Sequence, residues 1–302
     1  MPLFQWFRRA PQPAERAESD ASRRWAWLGG RRVLRTSPYV FPKDIAEGGR
    51  LDLQHHLLKV AVGKNYRAPL RQPRSILDVG CGTGIWCREM ALEFKQARVV
   101  GFDVDRTPME ASLARLGPAG QFPQNFEFLE ADALKPFPFE DEQFDFTHAR
   151  LIGQFVPIAR WPDLVAEMTR VTKRGGYVEL VDAESLTSPS KAFMFLVEAS
   201  QRMMTGRGLH TGAGSHLAGY LRQAGLQRVQ ERRIPLGGGQ GEREHRLLTA
   251  DLLAAYEHLQ PIIVKAGMIS QADYSSALAQ AKEELPRVGA TMPIIFAFSV
   301  RL

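Results

Sequence analysis

The sequence predicts an α/β fold with an open, mostly parallel sheet, and three observations carry that prediction. Ser75-Ile76-Leu77-Asp78-Val79-Gly80-Cys81-Gly82-Thr83-Gly84 is a short apolar strand running into glycines at alternate positions, which let the backbone turn sharply against a ligand. Val99-Val100-Gly101-Phe102-Asp103 is a second apolar run that ends on an acid. Strand-sized apolar runs then alternate with helical stretches as far as residue 183, as in strand–helix–strand units of a parallel sheet.

The elements follow in order. Residues 1–22, with Pro11, Pro13 and alternating charges, read as a flexible leader, although Leu3, Phe4, Trp6 and Phe7 are apolar enough to dock on a partner. Residues 23–72 form an N-terminal helical segment, in which Asp44 caps a helix over 44–65 that puts Leu51, His55, Leu58 and Val62 on one face. Residues 73–183 are the nucleotide-binding core. Within it, residues 86–94 carry helix formers, so the glycine turn opens a helix whose positive end faces the ligand. Residues 126–133 and 144–150 are further strands, and 165–172 a helix stopped by Lys173-Arg174-Gly175-Gly176 ahead of a strand over 177–181. Residues 184–302 hold helices over 191–204, 214–224, 246–260 and 271–285, strands over 226–234 and 293–302, and a mobile loop at Gly237-Gly238-Gly239 with Gly241.

The glycine spacing decides which nucleotide fits. Dinucleotide sites space the second and third glycines three residues apart so that a pyrophosphate lies on the helix end, whereas Gly84 comes two residues after Gly82. Asp78, just ahead of the glycines, repels a pyrophosphate and welcomes an amino group. Gly84 is followed by Ile85 and Trp86, so the phosphate-binding lysine of a Walker loop is missing. A zwitterionic ligand fits better than a diphosphate. Asp103, at a strand end, is placed to accept from two ribose hydroxyls, although an Asp there also serves to cap the helix that begins near Thr107.

On these residues the chain resembles the class I S-adenosylmethionine-dependent methyltransferases, whose first motif is D-x-G-x-G-x-G. The resemblance covers residues 75–182 and implies a Rossmann-like fold: a mostly parallel seven-stranded sheet with an antiparallel last strand. An N-terminal helical segment precedes that fold, and a helical cap is inserted late in the chain. S-adenosylmethionine is the implied cofactor and S-adenosylhomocysteine the product. Asp78, Gly80, Gly82 and Gly84 would lie at its amino-acid end, Asp103 and Val104 at the ribose, and Asp132 and Ala133 at the adenine. Asp132 as a turn residue and Asp78 as a brace for the glycine turn are the structural alternatives.

A narrower likeness lies upstream, in Tyr39-Val40-Phe41-Pro42-Lys43-Asp44 and Arg50-Leu51-Asp52-Leu53-Gln54-His55. These are similar to the Tyr-x-x-Pro-x-Asp stretch and Arg-Leu-Asp-x-Gln-His helix of the LaeA-like methyltransferases of fungi and bacteria, with Phe41 where Leu is more usual. There the helix closes over the cofactor, which makes Tyr39, Arg50, Gln54 and His55 contact candidates.

Composition agrees with an enzyme of this kind. A chain of 302 residues with 44% hydrophobic and 24% charged residues buries one core plus a subdomain. Apolar stretches are strand-sized, so the expectation is a cytoplasmic protein without a membrane span. Cys81 and Cys87 lie in the glycine turn and the helix after it, where a disulfide would distort the loop, so both are expected reduced, and two cysteines suggest no metal site. The net charge of +6 is uneven: residues 1–75 hold 15 basic and 6 acidic residues, the remainder 24 and 27. Arg8-Arg9, Arg23-Arg24 and Arg31-Arg32 read as a solvated arm or as an anionic-surface patch, and no aromatic stacking pattern accompanies them.

Three functions remain open on the sequence. The first is methyl transfer to a hydrophobic or aromatic small molecule, in secondary metabolism by the LaeA-like resemblance. Phe193, Met194, Phe195, Leu196, Met203 and Met204 then line an acceptor pocket or simply pack a helix. His148, at the end of the fourth core strand, is the candidate base on the acceptor or a packing residue, and Tyr39 would orient the acceptor. The second is a nucleic-acid or protein methyltransferase using the basic leader, disfavoured because Thr147-His148-Ala149-Arg150 lacks the Asn-Pro-Pro-aromatic motif of base amino-group methylation. The third is a non-catalytic regulator that binds the cofactor. The aromatic N-terminal arm suggests a homo-oligomer.

Overall fold

The computed structural model describes residues 44–116, 121–238 and 241–302, together with the backbone of strands β1 (Trp25–Leu28) and β2 (Arg31–Leu34). Leader residues 1–22, Tyr39 and Gly239 lie outside the described residues. β1 and β2 pair antiparallel within the stretch that the sequence predicts to be a helical segment. Helix α1 (Ile45–Val62) begins where expected, with Asp44 accepting from Glu47 N–H at 3.0 Å and Gly63 closing the end at φ 74°.

The core strands are β3 (Ser75–Val79), β4 (Arg98–Asp103), β5 (Phe126–Glu130), β6 (Phe144–Arg150), β7 (Thr172–Ala183), β8 (Gln230–Ile234) and β9 (Ile294–Val300). They form one seven-stranded sheet in the order β5-β4-β3-β6-β7-β9-β8, in which β9 alone runs against its neighbours. Between them run α2 (Ile85–Glu93), α3 (Thr107–Leu116), α4 (Trp161–Val171), α5 (Lys191–Gly206), α6 (Leu217–Gln223), α7 (Glu242–Lys265) and α8 (Gln271–Val288). The mostly parallel sheet with an antiparallel last strand is the fold the sequence predicts. Buried on both faces, the central strands carry continuous apolar runs such as Ile76, Leu77 and Val79, each 0% exposed.

Two local expectations give way. The run from Lys173 to Gly176 does not interrupt the chain between helix and strand, because β7 starts at Thr172 and continues through it. Gly175, at φ 79°, absorbs the register irregularity opposite Phe144 and Phe146, and Gly175 N–H donates to Arg301 O at 2.6 Å so that pairing persists. In the loop after β8, Gly237 is packed rather than mobile. Its N–H donates to Glu244 Oε1 at 2.7 Å, and a Cβ there would stand 2.0 Å from Ala290 O.

α5, α7 and α8 pack together with the end of α1 around Leu58, Phe193, Leu196, Leu252, Ile263 and Tyr274. This helical layer is the cap predicted late in the chain. Among the described residues no helix is long and apolar enough to cross a membrane.

Candidate active site

Strand order reverses at β3, which has β4 on one side and β6 on the other, and ligands of open parallel sheets bind at the carboxyl ends beside such a reversal. A cleft of about 400 Å³ lies there, walled by Gly80, Gly82, Asp103, Ala131, Asp132 and Leu151 and roofed by α1. That volume is in the ordinary range for a small-molecule site.

The glycine loop is shaped by close approaches. Gly80 sits at φ 71°, and a Cβ there would come within 3.0 Å of Phe155 Cζ. Gly82, at φ 55°, forms cleft wall beneath Leu51 of α1. Gly84 is not in the wall: at φ 71° it caps α2, and its Cβ position is 3.0 Å from Phe122 Cζ, so its role is to turn the chain. Gly82 N–H donates to Asp103 Oδ2 at 3.1 Å, tying the loop to the acid at the end of β4. The N-cap alternative for Asp103 does not hold, because Asp105 accepts from Thr107 N–H at 3.1 Å and takes that place at α3. Asp132 lines the cleft and also accepts from Leu134 N–H at 2.9 Å, so the turn and cleft-wall readings of this residue coexist. Val104 and Ala133 lie beside these acids in the wall.

From α1, Arg50 and Gln54 reach the cleft through a buried polar network. Arg50 Nε and Nη2 donate to Glu47 at 2.6 to 3.0 Å, Arg50 Nη1 donates to Asp251 Oδ1 at 2.9 Å, and Gln54 Nε2 donates to Asp251 Oδ2 at 3.4 Å. His258 Nδ1 lies 2.6 Å from Glu47 Oε2. Burial works to raise Glu47, but Arg50 and His258 beside it outweigh burial and hold its carboxyl below the usual range. Burial pushes Asp251 up despite Arg50.

The histidines depart from expectation. His55 does not line the cleft: its Nδ1 accepts from Arg150 Nη2 at 3.0 Å and its Nε2 lies 3.2 Å from Glu89 Oε2, so it holds Arg150, which does line the cleft. Burial lowers its pKa, in keeping with a neutral ring that must accept from the arginine. His148 is 0% exposed, lies flat on Trp86 at 4.0 Å, and stands 2.8 Å from Asp78 Oδ1 through Nδ1. Sealed behind the glycine loop, it does not reach an acceptor in the cleft, because the pleat that carries Phe146 inward carries His148 with it. Asp78 itself lines the cleft and also accepts from the Cys87 thiol at 3.4 Å. Cys81 and Cys87 are both free thiols, pushed up by burial.

Sequence reasoning missed Leu151, Gln154 and Phe155, which follow β6 and line the cleft. Leu151 adopts φ 55°, costly for a branched side chain, and its N–H donates to Val181 O at 2.8 Å. The rule that favoured Asp103 and Asp132, position just past a strand end, points equally at these three.

Comparison with known proteins agrees with this geometry. Residues 76–176 match the methyltransferase domain family. Secondary metabolism regulator LAE1 of Cochliobolus heterostrophus is 32% identical over 182 residues, 58% of this chain and 53% of that protein. Methyltransferase pytC of Aspergillus terreus is 29% identical over 246 residues, 76% of this chain and 70% of that protein. The chain thus spans about half the length of the first and 70% of the second. Among solved structures, phosphoethanolamine N-methyltransferase 2 of Haemonchus contortus, in complex with S-adenosylhomocysteine, shares the fold. Its TM-score is 0.50 at 18% identity, over 84% of this chain and 52% of that one. Sequence match, strand order and cleft position coincide on one segment, and residues 76–176 are a methyltransferase domain.

Proposed function

We propose that this chain transfers the methyl group of S-adenosylmethionine to a small, largely apolar acceptor as a step in secondary metabolism. The observation that carries the reading is the cleft at the carboxyl end of β3, where the glycine loop is tied to Asp103 and α1 forms a roof. The cofactor supplies a methyl already activated on a sulfonium, so the chain's work is to bind, orient and exclude water.

Asp103 is an acceptor-only group where the ribose would lie, and Asp132 with Ala133 stands where the adenine would lie. Asp78 offers a carboxylate to the amino group, and Arg50 and Gln54 of α1 line the same cleft. His148 is a positioning residue that holds Asp78. The relatives named as a methyltransferase and as a regulator of secondary metabolism support methyl transfer and its place in secondary metabolism. Calorimetric titration with S-adenosylmethionine, S-adenosylhomocysteine and NAD tests it: micromolar binding of the first two, lost in Asp103→Ala, is expected. Binding of NAD instead sinks it.

A second reading, a cofactor-binding regulator without catalysis, is favoured by the name of the LAE1 relative. Turnover of S-adenosylmethionine to S-adenosylhomocysteine with any small acceptor excludes it. The cytoplasmic location rests on the strand-sized apolar runs. The arm exchanged between subunits rests on Leu3, Phe4, Trp6 and Phe7, and an unchanged solution mass after deleting residues 1–22 removes it.

A further inference from the structure

A second cavity, of about 130 Å³, lies between α5 and α7 and shares Arg50, Gln54 and Gln154 with the walls of the cofactor cleft. We propose that it binds a one-ring aromatic acceptor bearing a hydroxyl or amino group, which donates a hydrogen bond to the Asp182 carboxylate. This assignment rests on the methyl-transfer reading above.

Size comes first. A cavity of about 150 Å³ in a protein core holds benzene, so a cavity of this volume has room for about one ring. One side of the wall is soft and apolar, with Val197, Met203, Met204, Leu252, Leu259 and Met292. Methionine thioethers adapt to ring edges and make favourable sulfur–aromatic contacts.

Polarity comes from the other side. Asp182 is 5% exposed and lines the cavity. Its Oδ2 accepts from Gly153 N–H and its Oδ1 from Ala183 N–H, both at 2.8 Å. Those bonds fix the carboxylate, and each oxygen keeps a further lone pair for a ligand. The backbone is cut to fit around it. A Cβ on Gly153 would lie 2.6 Å from Ala213 Cβ and 3.1 Å from Asp182 Oδ2, so only glycine brings this chain segment against the acid. Burial raises Asp182 to about 6, which leaves it ionised above neutral pH and in need of a donor. Among the described residues, Asp251 also lines the cavity with Arg50 as the one lining arginine, and Glu184 there is paired with Arg233 at 2.6 Å, so an anionic ring is disfavoured. His210 lines it as well, held by Tyr220 Oη at 2.6 Å and stacked on His216 at 4.3 Å.

The test uses the full chain at pH 8, with methionine methyl groups labelled for NMR, titrated with p-cresol, p-toluidine, toluene and 4-methylbenzoate. S-adenosylhomocysteine binding is measured in parallel by calorimetry. The expected result is that p-cresol and p-toluidine shift the Met203 and Met204 methyl signals and bind at least tenfold tighter than toluene and 4-methylbenzoate. Ala255→Phe, which fills the cavity, is expected to abolish those shifts and leave S-adenosylhomocysteine affinity within twofold. Asp182→Asn is expected to erase the tenfold preference for p-cresol over toluene. Equal affinity for all four rings in the wild-type chain overturns the role of Asp182, and shifts that persist in Ala255→Phe overturn the site. Ring binding without S-adenosylhomocysteine binding strikes the methyl-transfer reading while the cavity keeps its ligand.

Discussion

His148 and Asp78 face each other across 2.8 Å behind the glycine loop, and Trp86 lies parallel to the imidazole at 4.0 Å. Burial holds the histidine pKa below its usual value, so the ring is neutral and Nδ1–H donates to the carboxylate. Its Nε2 is buried without a partner among the described residues. The pair is a brace: the imidazole fixes Asp78, and Asp78 presents its carboxylate to the cleft.

The first prediction follows from that brace. His148→Phe keeps the stack on Trp86 and removes the donor, which leaves a buried carboxylate short of a hydrogen bond at a cost of about 1–3 kcal/mol. Urea unfolding is expected to register that loss, and S-adenosylhomocysteine affinity is expected to fall severalfold. The pH profile of turnover stays unchanged, because His148 exchanges no proton with the acceptor. A vanished acidic limb with affinity intact would return His148 to the role of base.

Glu179 supplies a pH prediction. It is 0% exposed on β7, and its Oε2 accepts from Arg67 N–H at 2.8 Å and Ala68 N–H at 2.6 Å, anchoring the chain that leads into β3. Burial raises it to about 8 from 4.5. Between those values the folded protein holds a proton that the unfolded chain has released. Its contribution to stability is complete below pH 4.5 and is lost as pH climbs through 8. Glu179→Gln removes the titration and keeps an acceptor for both amides. Relative to the variant, the wild type is therefore expected to lose about 1.4 kcal/mol per pH unit within that window, read from urea unfolding at successive pH values. Parallel stability curves would refute it.

How much of this was legible in the sequence depends on how local each signal is. Asp103 and Asp132 were readable because a strand end and an acid are neighbours along the chain, and the crevice rule supplies the rest. Arg50 and Gln54 were readable only through the resemblance of their helix, since nothing in its periodicity says that it roofs a cleft. The base and packing readings of His148 are not separable on the sequence, because both faces of a central parallel strand are buried: Thr147 and His148 are each 0% exposed, so alternation carries no direction there. The wall of the second cavity joins Asp182 to Ala255 and Met292, residues that only tertiary packing brings together.

Gly101 tests the packing beneath the loop. A Cβ on this β4 residue would come within 2.8 Å of Cys87 Sγ and 3.0 Å of Cys81 Sγ, so the strand has room for hydrogen and nothing larger. Gly101→Ala is expected to cost about 1–3 kcal/mol by overpacking. Cys87→Ala in the same chain, by deleting the nearer sulfur, is expected to recover part of it. Additive losses in the double variant would show that the two residues do not meet.

The last prediction concerns the network that joins α1 to α7. Arg50 is 5% exposed and Asp251 is 2% exposed, so neither charge is solvated by bulk water, and the carboxylates of Asp251 and Glu47 both depend on Arg50. Truncating one member of a buried ion network leaves uncompensated charge and costs about 3–5 kcal/mol. Arg50→Met is therefore expected to be more damaging than Arg50→Met combined with Asp251→Leu, because the double variant removes a carboxylate that the single one strands. The network also sets how α1 closes the cleft, so both variants are expected to bind S-adenosylhomocysteine more weakly, even where the double variant has regained stability. Unfolding and calorimetry on the two proteins separate the effects. If affinity returns together with stability, Arg50 acts on the cofactor only by keeping α1 folded onto α7, and its place in the cleft wall makes no contact of its own.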